Sequence, residues 1–350
     1  MKTKSIPNLK FKDLGNDAFS VSTPTEHISL NSVILLVAKK QSGKTFFASN
    51  LMNQLKQVKA CDRIFVISDT FNSNKKMMEH LDIDREDIFS PNDPNVIPEI
   101  TKRIEAERDD LLEYRQNLKM YNQYRQTLEQ ANRYDTDITE EMLLFYNPDT
   151  GRFEKPKHKY NGRKPAIFIF CDDIQSSQLV GDRKFRNFVI KHRHIGAFEN
   201  GEPPIGCSMI IAVQNYTTQG NEGLPKAIRG NANCVAVWKT GNVKELDLLA
   251  TELSGQIPKK DILDAYEYAM NKEPGNRHNF LFIDLTPKKE HPSPFRFNYN
   301  EWILPWPAHF AFLFFNQLSS FPPHFFLSLN KEWRSLNTCM SHPRNERVIK

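Results

Sequence analysis

Short runs of consecutive apolar residues punctuate the chain: Val33–Val37, Ile64–Ile67, Ile167–Cys171, Ser208–Val213, Val235–Trp238 and Phe280–Asp284. A run of this length with no polar alternation predicts a strand buried on both faces, as in a parallel sheet covered by helices. The segments between carry a different period. Phe47, Leu51 and Leu55 recur at steps of four and predict a helix over Phe46–Val58. Further helices are expected over Asp182–His194, Val243–Leu253 and Lys259–Met270. Strands alternating with helices predict an α/β fold, a three-layer sandwich around a mostly parallel central sheet.

One stretch departs from this rhythm. From Glu99 to Asn132, Ile104, Leu111, Tyr114, Leu118, Tyr121 and Leu128 follow one another in steps of three, four and seven, with Glu107 and Arg125 interrupting the seam. A long helix is expected, either packed on its own domain or projecting as an inserted hairpin arm. A basic segment with Pro and Gly follows, carrying Arg152, Lys155, Lys157, His158, Lys159, Arg163 and Lys164. The organisation read from these patterns is a lead-in over 1–30 with one or two edge strands and a main domain over 31–300. The domain holds a helical and basic insertion at 99–165, and a Phe-rich tail covers 301–350. The tail, with Phe310, Phe312, Phe314 and Phe315, is expected to dock on a neighbour or to cover the core.

Composition supports a globular chain: 39% hydrophobic and 25% charged residues. The formal net charge of +5 suits a polyanionic partner without specifying one. The five cysteines include no Cys-x-x-Cys pair, so buried free thiols are expected rather than disulfides or zinc. No apolar run reaches membrane-spanning length and Met1–Phe11 lacks an apolar signal core, so an intracellular protein without a membrane span is expected.

The chemistry begins directly after the first apolar run. Ala38-Lys39-Lys40-Gln41-Ser42-Gly43-Lys44-Thr45 is a phosphate-binding Walker A loop with alanine in place of its first glycine. Gly43 permits the tight turn that aims successive N–H groups at a phosphate, and the helix N-terminus behind it favours an anion. Lys44 is expected on the β- and γ-phosphates of ATP, and the Thr45 hydroxyl on Mg2+. The run Ile167–Cys171 ends in Asp172-Asp173, a Walker B pattern. Asp172 is expected at Mg2+ and Asp173 at the attacking water. Gln214 ends the strand Ser208–Val213 and is read as a sensor of the γ-phosphate or of water, or else as an amide capping a loop. Arg229 is a candidate finger reaching a neighbour's nucleotide, with Arg193 the second candidate and a solvated surface arginine the alternative. Arg183, Lys184, Arg186 and the basic linker are candidate contacts to DNA phosphates. Leu253-Ser254-Gly255-Gln256 looks like a transporter-ATPase signature but follows Walker B instead of preceding it, and is read as a helix end.

Taken in order, Gln41–Thr45, Asp172-Asp173, Arg193-His194, Gln214, Leu224-Pro225 and Arg229-Gly230-Asn231 resemble the genome-packaging ATPases of large DNA viruses and virophages, the poxvirus-type branch of the FtsK–HerA superfamily. The resemblance covers residues 31–240. It implies a P-loop fold of the additional-strand type, with the Gln214 strand between the two Walker strands. It also implies a homo-oligomeric ring with an arginine finger acting in trans. The activity implied is ATP-driven packaging of double-stranded DNA, with a capsid or portal partner, in the host cytoplasm, a virus factory or the virion. Ala38, the insertion and the tail depart from the family pattern. The competing readings are another P-loop enzyme, a helicase or nucleotide kinase, and a capsid-associated scaffold.

Overall fold

The computed structural model describes residues 23–70, 79–134, 136–217 and 223–304. Its centre is β1 (Val33–Val37), five residues with no polar side chain and every one buried. Side chains alternate across a strand, so β1 feeds two cores. Val33, Leu35 and Val37 enter one and Ile34 and Leu36 the other. The strands around it do the same: β2 (Arg63–Ile67), β6 (Ile167–Asp172), β7 (Ser208–Val213), β8 (Cys234–Trp238) and β9 (Phe280–Asp284).

The sheet has nine strands in the order β11-β10-β9-β8-β1-β7-β6-β2-β3, where β3 is Ile88–Phe89, β10 Phe295–Phe297 and β11 Glu301–Ile303; β4 (Tyr146–Asn147) and β5 (Arg152–Phe153) pair antiparallel in a separate small sheet. From β3 to β8 all pairings are parallel; β9, β10 and β11 add antiparallel pairings at one side. The strand β7 lies between β1 and β6, as the resemblance implied. Beyond the strands expected from sequence, β3, β4, β5, β10 and β11 are new. The last runs past residue 300, where the sequence reading closed the main domain. Residues 23–30 hold no strand; the remainder of the lead-in, and the tail beyond Leu304, lie outside the described residues.

Helices cover both faces. On one, α1 (Lys44–Gln57) buries Phe47, Ala48, Leu51, Met52 and Leu55. On the other lie α2 (Val96–Ala131), α3 (Arg183–Lys191), α4 (Val243–Leu253) and α5 (Lys259–Lys272). The expected helix 182–194 ends at Lys191 and tightens into a 3-10 turn over His192–His194. None of the described helices is long and apolar enough to cross a membrane. The described cysteines, Cys61, Cys171, Cys207 and Cys234, are buried free thiols, as expected. Burial pushes the Cys61 thiol up to about 12.

The insertion is docked on the domain at its base. In α2, Ile97, Ile100, Ile104 and Leu111 join the main core. The distal half is covered by the returning chain, where Leu128, Met142 and Phe145 form a separate small core. The interruption at Glu107 has a local cause. Its carboxylate, almost fully buried, accepts from Arg63 Nη1 and Lys159 Nζ at 2.6 Å each. A charge placed in the seam is tolerated because two cations meet it there.

Candidate functional site

The loop between β1 and α1 turns through two residues of positive φ, Gln41 at 61° and Gly43 at 99°. The second value lies where an L side chain is strained, and a Cβ on Gly43 would sit 3.3 Å from His278 Nδ1. Glycine is therefore required at 43. It is not required at 38: Ala38 keeps a negative φ, is buried and donates its N–H to the Val213 carbonyl at 3.1 Å. The departure from the usual first glycine thus costs the turn nothing.

Gly43 is also the N-cap of α1, without a capping side chain or an acid in the first turn. The first-turn N–H groups stay available for an anion, with the helix dipole behind them. Lys44 Nζ folds back onto the carbonyls of Ala38 (2.6 Å) and Lys39 (3.1 Å). Ser42 Oγ also donates to the Lys39 carbonyl, at 2.6 Å. Backbone oxygens thus hold an ammonium whose pKa is pushed down by burial, against the pull of Asp172 and Asp173. A phosphate is a stronger partner for that ammonium than two carbonyls.

The Asp172 carboxylate lies across the sheet edge from this loop, and Thr45 Oγ1 donates to its Oδ2 at 3.0 Å. Burial raises the Asp172 pKa, opposed by the Thr45 hydrogen bond and the Lys44 charge. A hydroxyl and a buried carboxylate side by side are the hard oxygen donors that Mg2+ takes when phosphates and water complete its shell. The residues present therefore fit that cation.

Asp173 adopts φ 53°, a left-handed backbone uncommon for a residue with a side chain. The turn brings its carboxylate to Gln214, whose Nε2 donates to Asp173 Oδ1 at 2.7 Å. Gln214 is fixed in turn by Gln175, a residue the sequence reading passed over. Gln175 Oε1 accepts from the N–H groups of Gln214 (2.7 Å) and Asn215 (3.2 Å), and its Nε2 donates to the Asn215 carbonyl at 2.8 Å. Glu245 Oε1 holds the next two N–H groups, those of Tyr216 and Thr217. Walker A, Walker B and Gln214 are thus brought to one edge, and the Gln214 amide bonds a carboxylate in addition to ending its strand.

Other candidates fall elsewhere. Arg229, expected as a finger, is engaged within its own chain. Its Nε and Nη2 donate to Glu252 at 2.9 and 2.6 Å, Nη1 donates to the Leu224 carbonyl, and the guanidinium lies 5.1 Å from the Tyr216 ring. Arg193 is exposed, on the turn preceding β7. Its neighbour His192 bonds the Asn31 carbonyl at the start of β1, so Arg193 belongs to the sheet edge opposite the loop.

Part of the basic linker is paired within the chain. Lys159 pairs with Glu107, Arg163 with Asp62, buried Lys164 with Glu202 and Lys157 with Glu154. The side chain of His158 lies 3.4 Å from Asp110. Arg152, Lys155, Lys157 and Lys159 in the linker, and Arg183 and Lys184 on α3, are exposed, while Arg186 is half-buried.

No family model matches the chain, and no curated protein does. Among solved structures it is similar to the genome packaging NTPase B204 from Sulfolobus turreted icosahedral virus 2 in complex with ATP-gammaS. That match has 11% identity and a TM-score of 0.37, over 76% of this chain and 95% of that one. It is also similar to EssC (ATPases 2 and 3) from Geobacillus thermodenitrificans, at 13% identity and TM-score 0.32 over 63% and 34% of the two chains. A third likeness is to the pCW3 conjugation coupling protein TcpA in its monomer form with ATPgS, at 13% identity and TM-score 0.36 over 72% and 57%.

Proposed function

We propose that this chain is an ATP-hydrolysing motor that moves double-stranded DNA, acting in packaging of a viral genome. The observation that carries the hydrolytic part is the convergence at one sheet edge. An open helix N-terminus with Lys44, the Thr45–Asp172 pair and the Asp173–Gln214 pair all meet there. Bound ATP would draw Lys44 from the backbone carbonyls onto its phosphates, and the first-turn N–H groups of α1 would hold their oxygens. Mg2+, held by Thr45 and Asp172, would supply charge neutralisation at the phosphates. Asp173, hydrogen-bonded by Gln214, would orient or deprotonate the attacking water.

The DNA part rests on the resemblance carried by residues 31–240 and on the exposed Arg183 and Lys184. Backbone contacts of this kind need no base readout, which suits a packaging motor. The ring, the trans-acting finger and a capsid or portal partner belong to the same proposal. The test is steady-state ATP hydrolysis with and without double-stranded DNA, beside Lys44→Ala. The expected result is DNA-stimulated turnover that Lys44→Ala abolishes. Turnover indifferent to DNA, from protein shown to assemble, would remove translocation and leave a P-loop hydrolase.

A further inference from the structure

Beside the phosphate loop lies a cavity of about 650 Å3 that the chemistry above does not use. It opens at Ser42 and Gly43 and runs between α1 and the ends of β8 and β9. Its volume falls in the roughly 300–1,000 Å3 range of small-ligand sites. One wall is aromatic: Trp238 stacks on Phe280 with centroids 4.4 Å apart, and Phe47 lies 4.7 Å from Phe280. At the mouth stands Phe46, the residue after Thr45, with 64% of its surface exposed. An aromatic ring left so open in the first turn of α1 has no packing role there.

A polar group gives the cavity a direction. His278 lines the same cavity, and its Nδ1 lies 3.1 Å from the Ser42 carbonyl. A carbonyl only accepts, so Nδ1 carries the proton and Nε2 is left as an acceptor in the neutral ring.

We infer that this cavity is the base subsite of the nucleotide held by the loop, and that it takes adenine in preference to guanine. The inference rests on the nucleotide-binding reading proposed above. Phe46 supplies a stacking face and His278 Nε2 an acceptor. Adenine carries an amino donor at C6 where guanine carries a carbonyl acceptor, so an acceptor at that place discriminates between them. Phe46 and His278 are thus specificity residues outside the Walker motifs.

The test is equilibrium titration with ADP, GDP and inorganic pyrophosphate, all with Mg2+, which separates base from phosphate and involves no turnover. The wild-type chain should bind ADP about tenfold more tightly than GDP or pyrophosphate, the size of one good stacking or hydrogen-bonding contact. Phe46→Ala should weaken ADP about tenfold and leave pyrophosphate unchanged, and Phe46→Tyr should restore ADP. His278→Ala should bring the ADP-to-GDP ratio close to one. Unchanged pyrophosphate binding also reports that each variant is folded. ADP binding no tighter than pyrophosphate, or ADP binding indifferent to Phe46→Ala, would overturn the subsite. The loop reading would survive that result if Lys44→Ala still removed both ligands. Failure of the wild-type chain to bind either ligand would overturn both.

Discussion

Arg229 separates two uses of an arginine that look alike in sequence. A finger reserved for a neighbouring subunit should stand free in its own chain, and its removal should leave the monomer's stability unchanged. A structural pin should not. The side chain of Arg229 is 12% exposed and that of its partner Glu252 21%, and the pair is bidentate at 2.6 and 2.9 Å. The Arg229 hydrogen bonds push the Glu252 pKa down, and Glu252 pushes that of Arg229 up. A hydrogen bond to a charged group contributes about 1.5–3 kcal/mol, and a partly exposed pair loses some of that to solvent screening. Two such bonds, less screening, plus the anchored Leu224 carbonyl, place the cost of Arg229→Ala at about 3 kcal/mol. The Glu252 carboxylate, which also accepts from Tyr216 at 2.8 Å, would be left without its cation. The assay is urea unfolding of wild type, Arg229→Ala, Glu252→Ala and the double variant. The double-mutant cycle should give a coupling of about 2 kcal/mol. Coupling below about 0.5 kcal/mol would refute the pin and restore Arg229 as a free finger. A coupled pair would mean that any action in trans must first break it, a difference of roughly thirtyfold or more in the population of the released arginine.

Three further outcomes are expected. Glu107→Ala should cost about 2–3 kcal/mol in urea unfolding, because Arg63 and Lys159 lose a shared buried anion; Glu107→Met, which fills the space, should cost less. Glu202 is held down at about 2 from 4.5, first by its Arg115 hydrogen bonds and then by Lys164 against desolvation. A depressed carboxylate stabilises the fold above its unfolded pKa and loses that stabilisation as pH falls from about 4.5 towards 2, so Glu202→Gln should flatten this acid limb by about 1 kcal/mol after screening in unfolding midpoints taken at descending pH. Gln175→Ala should lower ATP turnover about tenfold while ADP affinity in titration stays unchanged, since Gln175 braces Gln214 without touching the phosphate loop.

Legibility in the sequence followed how local each feature is. The strands buried on both faces announce themselves because their neighbours in the chain are also buried, and the Walker A loop because its motif is written in consecutive residues. The edge strands do not. β3 has two residues and β10 three, and β10 places Arg296 in the interior. That arginine is tolerated because Trp302 and Tyr299 cover its guanidinium at 4.0 and 4.7 Å and the Glu26 carbonyl accepts from Nη1. A charged residue so housed breaks the apolar pattern that would have marked the strand. The same holds for Glu107, whose cations come from Arg63 and Lys159, far from it in sequence. A lone sequence shows an interrupted seam and no reason for it.

The site shows the same division at finer grain. Sequence places Ala38, Asp173 and Gln214 each just past the end of an apolar run, but says nothing of their relative heights. The register supplies this. Val37 of β1 lies opposite Val213 of β7, so Ala38 and Gln214 leave the sheet together. Asp172 of β6 lies opposite Ala212, so Asp173 leaves level with Val213, one residue below Gln214. That offset of one is what the left-handed turn at Asp173 bridges, returning its carboxylate to within 2.7 Å of the Gln214 amide. A slip of one residue in either pairing would reverse which face each side chain meets. Because β7 stands between β1 and β6, both pairings must hold for the Asp173–Gln214 pair to sit beside the loop of Gly43 and Lys44. The inserted strand is therefore what joins the two halves of the candidate site, and not a spacer between them.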